Sequence, residues 1–369
     1  DYMAGWARRY EGEIIQSDRP NENIFLFKKP IGVTAGILPW NFPFFLIARK
    51  AAPALVTGNT IVMKPSQLTP ENMYLFSKVC QEVGLPDGVI NVIYGRGSVI
   101  GHALAGNPKV GMVSLTGSVA AGQQIMLAAA PNITKVSLEL GGKAPAIVLK
   151  DADLDLAVKS IIDSRVINTG QVCNNAERVY VHKSVKDDFM QKLIAGFKAV
   201  KTGDPSKIAD LDMGPMIEKK ALETVLGKVD NAVKQGCGLI CGGHRIGDKG
   251  YFIEPTILDG AKQNMDIIQQ ETFGPVLPVV EFDTDDEVIA MANDCEYGLT
   301  SSIYTKDLDT SFKFMRELKF GETYVNRENF EAIQGFHAGW RKSGIGGADG
   351  KHGLEEYLQT HVVYFDTQY

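Results

Sequence analysis

Short apolar runs at 31–38, 60–64, 89–94, 111–115 and 135–140 alternate with amphipathic runs at 44–55, 70–83 and 98–105, and with one more after Thr116-Gly117-Ser118. Short apolar runs predict buried strands. A strand–helix–strand alternation predicts parallel pairing, because parallel neighbours need a crossover that a helix supplies. The expectation is an α/β chain built on a doubly wound parallel sheet. The punctuation agrees. Pro39-Trp40-Asn41-Phe42-Pro43 ends the first strand with two prolines, Thr69 and Pro70 open the helix over 70–83, and Gly84 closes it.

In such sheets ligands gather beyond the carboxyl ends of the strands. Asn41 with Trp40, Lys64 with Ser66, and Thr116-Gly117-Ser118 fall there. A surface role is the commoner one for a lysine, but the strand-end position of Lys64 favours contact with a nucleotide ribose or phosphate. Gly117-Ser118 opens a helix, whose free N–H groups suit an anion. No GxGxxG accompanies it, so this signal is weak alone. Glu139 closes the fifth strand, followed by Gly141-Gly142, where a ligand or another backbone can approach closely.

A second α/β unit follows. Helices are expected at 153–167, 185–200, 219–235, 285–293 and 311–318, and strands at 178–181 and 298–304. Cys173 lies in the polar run Asn168-Thr169-Gly170-Gln171-Val172-Cys173-Asn174-Asn175 between hydrophobic segments. Locally it reads equally as a nucleophile or as a small buried hydrophobe. Cys237 and Cys241 have no second ligand pair nearby, which argues against a metal and for a strand with two incidental thiols. Glu271-Thr272-Phe273-Gly274-Pro275 sets an acid and an aromatic before a tight turn, and 321–353 is a long aperiodic stretch of the kind that usually serves function. A last strand at 360–365 can pair with 24–27.

The 369 residues carry a net charge of -6, which offers no basic surface to nucleic acid or anionic lipid. No run reaches the ~18 apolar residues that would span a membrane. Five widely spaced cysteines fit free thiols in a reducing, cytoplasmic compartment. The chain opens on Asp1, and residues 1–11 read as the end of a helix, so a preceding portion is expected to be missing.

Five motifs, together with Gly170-Gln171-Val172-Cys173, resemble the aldehyde dehydrogenase superfamily in order and spacing over nearly the whole chain. They are Pro39-Trp40-Asn41-Phe42-Pro43, Lys64-Pro65-Ser66, Leu115-Thr116-Gly117-Ser118-Val119-Ala120-Ala121-Gly122, Leu138-Glu139-Leu140-Gly141-Gly142-Lys143 and Glu271-Thr272-Phe273-Gly274-Pro275. The stretch from Gln334 to Gly344 is similar to the bacterial lactaldehyde and glycolaldehyde branch. The resemblance implies a cofactor domain at 31–140 and 335–356, a catalytic domain at 141–334, and a small β oligomerisation arm at 12–30 and 357–369. It implies NAD as cofactor, a small aldehyde as substrate, a homotetramer, and no metal.

It also implies roles. Cys173 attacks the aldehyde, Asn41 and the Cys173 N–H hold the oxyanion, and Glu139 activates water, with a pKa expected to be raised toward neutral. Leu38, Pro39, Trp40, Lys64, Ser66 and Gln67, with Gly117 and Ser118, bind the adenosine and pyrophosphate side. Glu271 and Phe273 hold the nicotinamide side. Arg49, Asn174, Glu331 and His337 line the substrate tunnel; without the resemblance, Arg49 and Glu331 read as a surface ion pair and His337 as a loop histidine. Gln67 departs from the glutamate of many NAD-preferring members, which implies that NADP is tolerated. Another aldehyde such as succinate semialdehyde, a CoA-dependent acyl transfer, and an inactive shortened member stay open.

Overall fold

The computed structural model describes residues 1–367. They form two compact units, 1–140 with 331–338 and 344–367, and 141–330 with 339–343.

The first unit is built on a six-stranded sheet in the order Gly344–Ile345, Lys135–Glu139, Met112–Thr116, Val33–Ile37, Thr60–Lys64, Ile90–Val92. The last five are parallel, and only Gly344–Ile345 runs against its neighbour. Connections lead outward both ways from Val33–Ile37, so the switch point falls between it and Met112–Thr116. Both faces are covered. Ala35, Val113, Leu115 and Leu138 pack on one side with Leu104 and Ile125. Ile61, Met63 and Met112 pack on the other with Leu46, Ile47 and Met73. Strands buried on both faces read as unbroken apolar runs, which is why the sequence exposed them. Each such fully buried side chain contributes roughly 1.5–3 kcal/mol.

The same unit carries a three-stranded antiparallel sheet, Glu13–Gln16, Glu22–Pro30 and Leu358–Asp366. The expected pairing of 360–365 is present, with Thr360 opposite Lys28 and Phe365 opposite Asn23.

The second unit holds a seven-stranded sheet in the order Gly238–Cys241, Thr256–Asp259, Val276–Phe282, Ala176–His182, Ala144–Val148, Thr300–Tyr304, Glu322–Val325. Gly238–Cys241 is antiparallel and the rest are parallel. Alternate residues feed two cores, Ile147, Tyr180 and Val280 one face and Val148, Val179 and Val279 the other.

Three expectations need correction. Residues 1–11 hold only a 3-10 turn at Ala4–Trp6 rather than a helix end. Thr69 does not cap its helix; Pro70 occupies the cap position of Glu71–Glu82, with no side-chain bond. The stretch 321–353 is not wholly aperiodic, since Glu322–Val325 joins the second sheet and Gly350–Glu355 is helical. All five cysteines are free thiols, and no cluster of three or more His, Cys, Asp or Glu that could hold a metal occurs among the described residues. Among those residues no helix is long and apolar enough to cross a membrane.

Candidate active site

The first unit gathers its charges where Lys135–Glu139 ends. Glu139 is 3% exposed, and Thr116 Oγ1 donates to its Oε2 at 3.0 Å. Arg49 comes from the helix Pro43–Val56, where its side chain turns inward and is 7% exposed. Its Nη1 lies 3.7 Å from Glu139 Oε2. Its Nε donates to Asp349 Oδ1 at 3.2 Å, and Nη2 donates to Asp349 Oδ2 and Glu331 Oε1, each at 2.5 Å. The guanidinium also stands 4.4 Å over the Phe45 ring. Lys50, buried beside it, donates to Ser114 Oγ at 2.8 Å. His337 is buried too, fixed by two backbone bonds with Ala348 at 2.8 Å. The ion pair of Arg49 and Glu331 is therefore an interior one, and His337 is no mere loop residue.

This cluster overturns one expectation. Burial by itself favours the neutral form of Glu139, but the charges of Lys50, Arg49 and His337, with the Thr116 hydrogen bond, outweigh it. The carboxyl is held below its ordinary range, not raised toward neutral. Glu331 is lowered as well, against burial, by His337 and Arg49. Asp349 goes the other way, raised to about 6 because burial exceeds the pull of Arg49.

On the nucleotide side, a cavity of about 410 Å³ opens at the switch point, between Ile37, Gly101, Leu115, Ala121 and Ile125. Its walls are apolar and its floor is the pair of strands where the winding reverses, as a planar base requires. Lys64 is 3% exposed and donates to the Pro65 carbonyl at 2.7 Å; burial lowers its pKa. Among the described residues no carboxylate pairs with it, which leaves N–H groups for hydroxyl acceptors. Ser118 caps Val119–Ala129 by accepting from the Ala121 N–H at 3.2 Å, and the preceding N–H groups of that helix point outward beside Gly117. Leu38 is buried, Pro39, Trp40, Asn41 and Ser66 are half-buried, and Gln67 is exposed. These residues fit an adenine dinucleotide.

The second unit shapes the cysteine loop. Asn168, Thr169 and Gly170 are successively left-handed, with φ of 47°, 59° and 73°. Such a run is costly for L-residues and persists only when clamped. Thr169 Oγ1 donates to the Gly214 carbonyl at 3.0 Å, Gln171 Nε2 to the Asn168 carbonyl at 2.9 Å, and the Ile217 N–H to Gln171 Oε1 at 2.9 Å. A Cβ on Gly170 would lie 2.4 Å from the Gly274 carbonyl carbon, and one on Gly142 would lie 2.3 Å from the Cys173 carbonyl oxygen. The glycines thus let the Glu271–Pro275 turn and the Gly141-Gly142 segment close on the Cys173 backbone. Cys173 itself is half-buried, and the adjoining Asn174 carbonyl accepts from Thr300 Oγ1 at 2.7 Å.

Beneath lies a charged hub that sequence reasoning missed. Lys143, Arg165 and Glu177 are fully buried, with Lys143 Nζ 2.6 Å and Arg165 Nη1 3.1 Å from the Glu177 carboxylate. Glu177 accepts the N–H groups of Thr272 and Phe273, both at 3.0 Å, and Arg165 donates to the carbonyls of Gly170, Ala176 and Gly274. Phe273 is thereby held at φ 54°. Glu271 Oε1 accepts the Gly142 N–H at 2.9 Å, and its carboxyl is raised to about 7 by burial and by the nearby Glu177 charge. A signal existed: Glu177-Arg178 interrupts an apolar strand, and Arg165 sits on the buried side of its helix.

A buried carboxylate beside two cations, a clamped cysteine loop and a nucleotide cleft at the switch point together define a dinucleotide-linked thiol enzyme. The chain belongs to the aldehyde dehydrogenase family, whose model matches residues 1–363. Members oxidise aldehydes to acids through a catalytic cysteine with NAD or NADP as acceptor, and this chain is such an oxidoreductase. It is 65% identical over 367 residues to lactaldehyde dehydrogenase of Escherichia coli (strain K12), covering 100% of this chain and 77% of that protein. A crystal structure of lactaldehyde dehydrogenase from Escherichia coli superposes with a TM-score of 0.98 at 66% identity, over 99% of this chain and 76% of the other. A structure of 3,6-anhydro-L-galactose dehydrogenase in complex with NADP gives a TM-score of 0.96 at 44% identity, over 99% and 77%.

Proposed function

We propose that this chain oxidises small hydroxyaldehydes, lactaldehyde and glycolaldehyde, with NAD preferred and NADP tolerated. The Cys173 thiolate attacks the aldehyde carbon, and the Asn41 amide and the Cys173 N–H stabilise the oxyanion of the thiohemiacetal. A bound dinucleotide would supply the hydride acceptor, and loss of hydride from the thiohemiacetal carbon would leave a thioester on Cys173. Glu139 takes a proton from water, which displaces the thiolate and releases the acid. Lys64, Ser118 and Gln67 hold the adenosine side, and Glu271 with Phe273 holds the nicotinamide ribose.

The observation that carries the substrate reading is the buried cluster of Arg49, Glu331 and Asp349. A substrate hydroxyl can donate to a carboxylate there and accept from Arg49. A long apolar aldehyde would cover the Nη1 donor of Arg49, 3.7 Å from Glu139, without offering it an acceptor, at a cost of about 1–3 kcal/mol. Succinate semialdehyde is disfavoured, because its carboxylate would meet Glu139, Glu331 and Asp349 at an arginine that these three carboxyls already engage. Similarity to a lactaldehyde dehydrogenase supports the same substrate class. A base for water also disfavours transfer to CoA.

The test is kcat/KM for lactaldehyde, glycolaldehyde, hexanal and succinate semialdehyde, with and without CoA. Hexanal or the semialdehyde matching glycolaldehyde, or a requirement for CoA, contradicts the reading. For assembly, we propose a cytoplasmic homotetramer. The edge strands Glu13–Gln16 and Leu358–Asp366 leave Ile14 74% and Tyr364 67% exposed, a surface suited to strand pairing with a second copy.

A further inference from the structure

We propose that Asp349 is a positioning residue that divides the Arg49 cation between the substrate hydroxyl and the base Glu139. The inference rests on the roles given above to Arg49 and Glu139.

Asp349 precedes the helix Gly350–Glu355, where an aspartate ordinarily accepts a first-turn N–H. Its side chain makes no such cap bond. The carboxylate turns to Arg49 instead and grips it through Nε and Nη2. The backbone holds φ 67° and ψ 166°, a conformation that L-residues seldom adopt and that tends to survive where function over-determines it. On both sides the chain is stitched to the segment bearing Glu331 and His337. The Gly350 N–H donates to the Ile333 carbonyl at 2.8 Å, and His337 and Ala348 exchange two backbone bonds. Asp349 is 2% exposed, so the grip is interior.

A two-point grip fixes the plane of a guanidinium. With Nε and Nη2 occupied, Nη1 is left 3.7 Å from Glu139. That distance is an ion pair, not a hydrogen bond. Nη1 is therefore the donor that can serve a substrate hydroxyl. Glu139 is faced by Arg49, by Lys50, whose charge burial disfavours, and by the His337 imidazole, and on the other side by the Asp349 carboxyl; the Tyr357 phenol nearby, raised by burial, stays neutral. Without the Asp349 charge, Arg49 and Lys50 act on Glu139 undiluted and make it a weaker base.

The experiment compares the full chain with its Asp349→Asn, Asp349→Glu and Arg49→Met variants between pH 5 and 9. Asparagine keeps the size and tolerates positive φ, so the fold should persist. The first readout needs no cofactor. Cys173 attacks p-nitrophenyl acetate, nitrophenolate leaves, and water deprotonated by Glu139 displaces the thiolate to give acetate. The second is kcat and KM for glycolaldehyde against propanal with NAD. Wild-type deacylation should rise about three- to tenfold as Asp349 ionises near pH 6, and Asp349→Asn should lack that rise and stay at the lower rate throughout. Glycolaldehyde KM should rise about tenfold while propanal KM holds within about twofold. Asp349→Glu should restore the rise. A rise and a KM ratio unchanged in Asp349→Asn, even with a lowered Tm, overturn the proposal. Should Arg49→Met leave the glycolaldehyde preference intact, the pocket reading fails instead, and the ester profile still decides whether Asp349 acts on Glu139.

Discussion

Lys143 Nζ lies 2.6 Å from Glu177 Oε2 with both side chains fully buried, and the same carboxylate accepts the Thr272 and Phe273 N–H groups. The pair thus ties the protein interior to the turn that bears Glu271. Burial pushes Glu177 up, but Lys143, Arg165 and these hydrogen bonds outweigh it and hold the carboxyl at about 2. A carboxyl lowered in the folded state contributes stability that is present above its unfolded pKa of 4.5 and is lost as pH falls toward 2. Glu177→Gln should cost on the order of 3 kcal/mol at pH 7. Tm measured against pH should show the gap to wild type narrowing between pH 5 and about 2.5. A constant gap would mean that the charge is irrelevant.

Gly170 has φ 73° and sits against the Gly274 carbonyl, where a Cβ would lie 2.4 Å away. Gly170→Ala should destabilise by about 2 kcal/mol or more and displace the Cys173 loop. Denaturant unfolding gives the first quantity, and the rate of Cys173 alkylation the second. Wild-type values for both contradict the clamped loop.

Gln67 is exposed three residues after Lys64. Glutamate there would repel a 2′-phosphate. Gln67→Glu should lower kcat/KM for NADP by about tenfold while sparing NAD. An unchanged NADP/NAD ratio refutes the role of this position.

Much of this was legible, and the reason is geometric. Asn41, Lys64, Glu139 and Cys173 stand where an element stops, and element ends are marked by proline, glycine and the loss of apolar period. The misses share another cause. Arg49 and Asp349 are partners across 300 positions and Lys143 and Glu177 across 34, pairings that no local pattern encodes. The direction of the Glu139 shift was misread for the same reason. Its controlling charges, Lys50 and Arg49, belong to a helix far upstream in the chain. Strands Ala144–Val148 and Val276–Phe282 also escaped notice, because each carries a proline, Pro145 and Pro278, that argues against a strand in the sequence.

The Glu271 carboxyl stands at about 7, raised by burial and by Glu177 despite the Gly142 N–H. Its charged form is the better acceptor for ribose hydroxyls, so NAD should bind more weakly as pH falls from 8 to 6. Folding linkage has the same origin and the opposite sign: raising pH from 4.5 to about 7 should cost stability, because the folded state holds the proton longer. Calorimetric NAD affinity in wild type and Glu271→Gln tests the binding effect. A pH dependence retained in the variant rules Glu271 out as its source.

The division of labour between Cys173 and Glu139 is the central claim, and rapid-mixing measurement of NADH from glycolaldehyde tests it most directly. Wild type should turn over continuously, Cys173→Ala should form no NADH, and Glu139→Gln should give a burst of one NADH per active site followed by near arrest. NADH formed by Cys173→Ala, or steady turnover by Glu139→Gln at the wild-type rate, would contradict it.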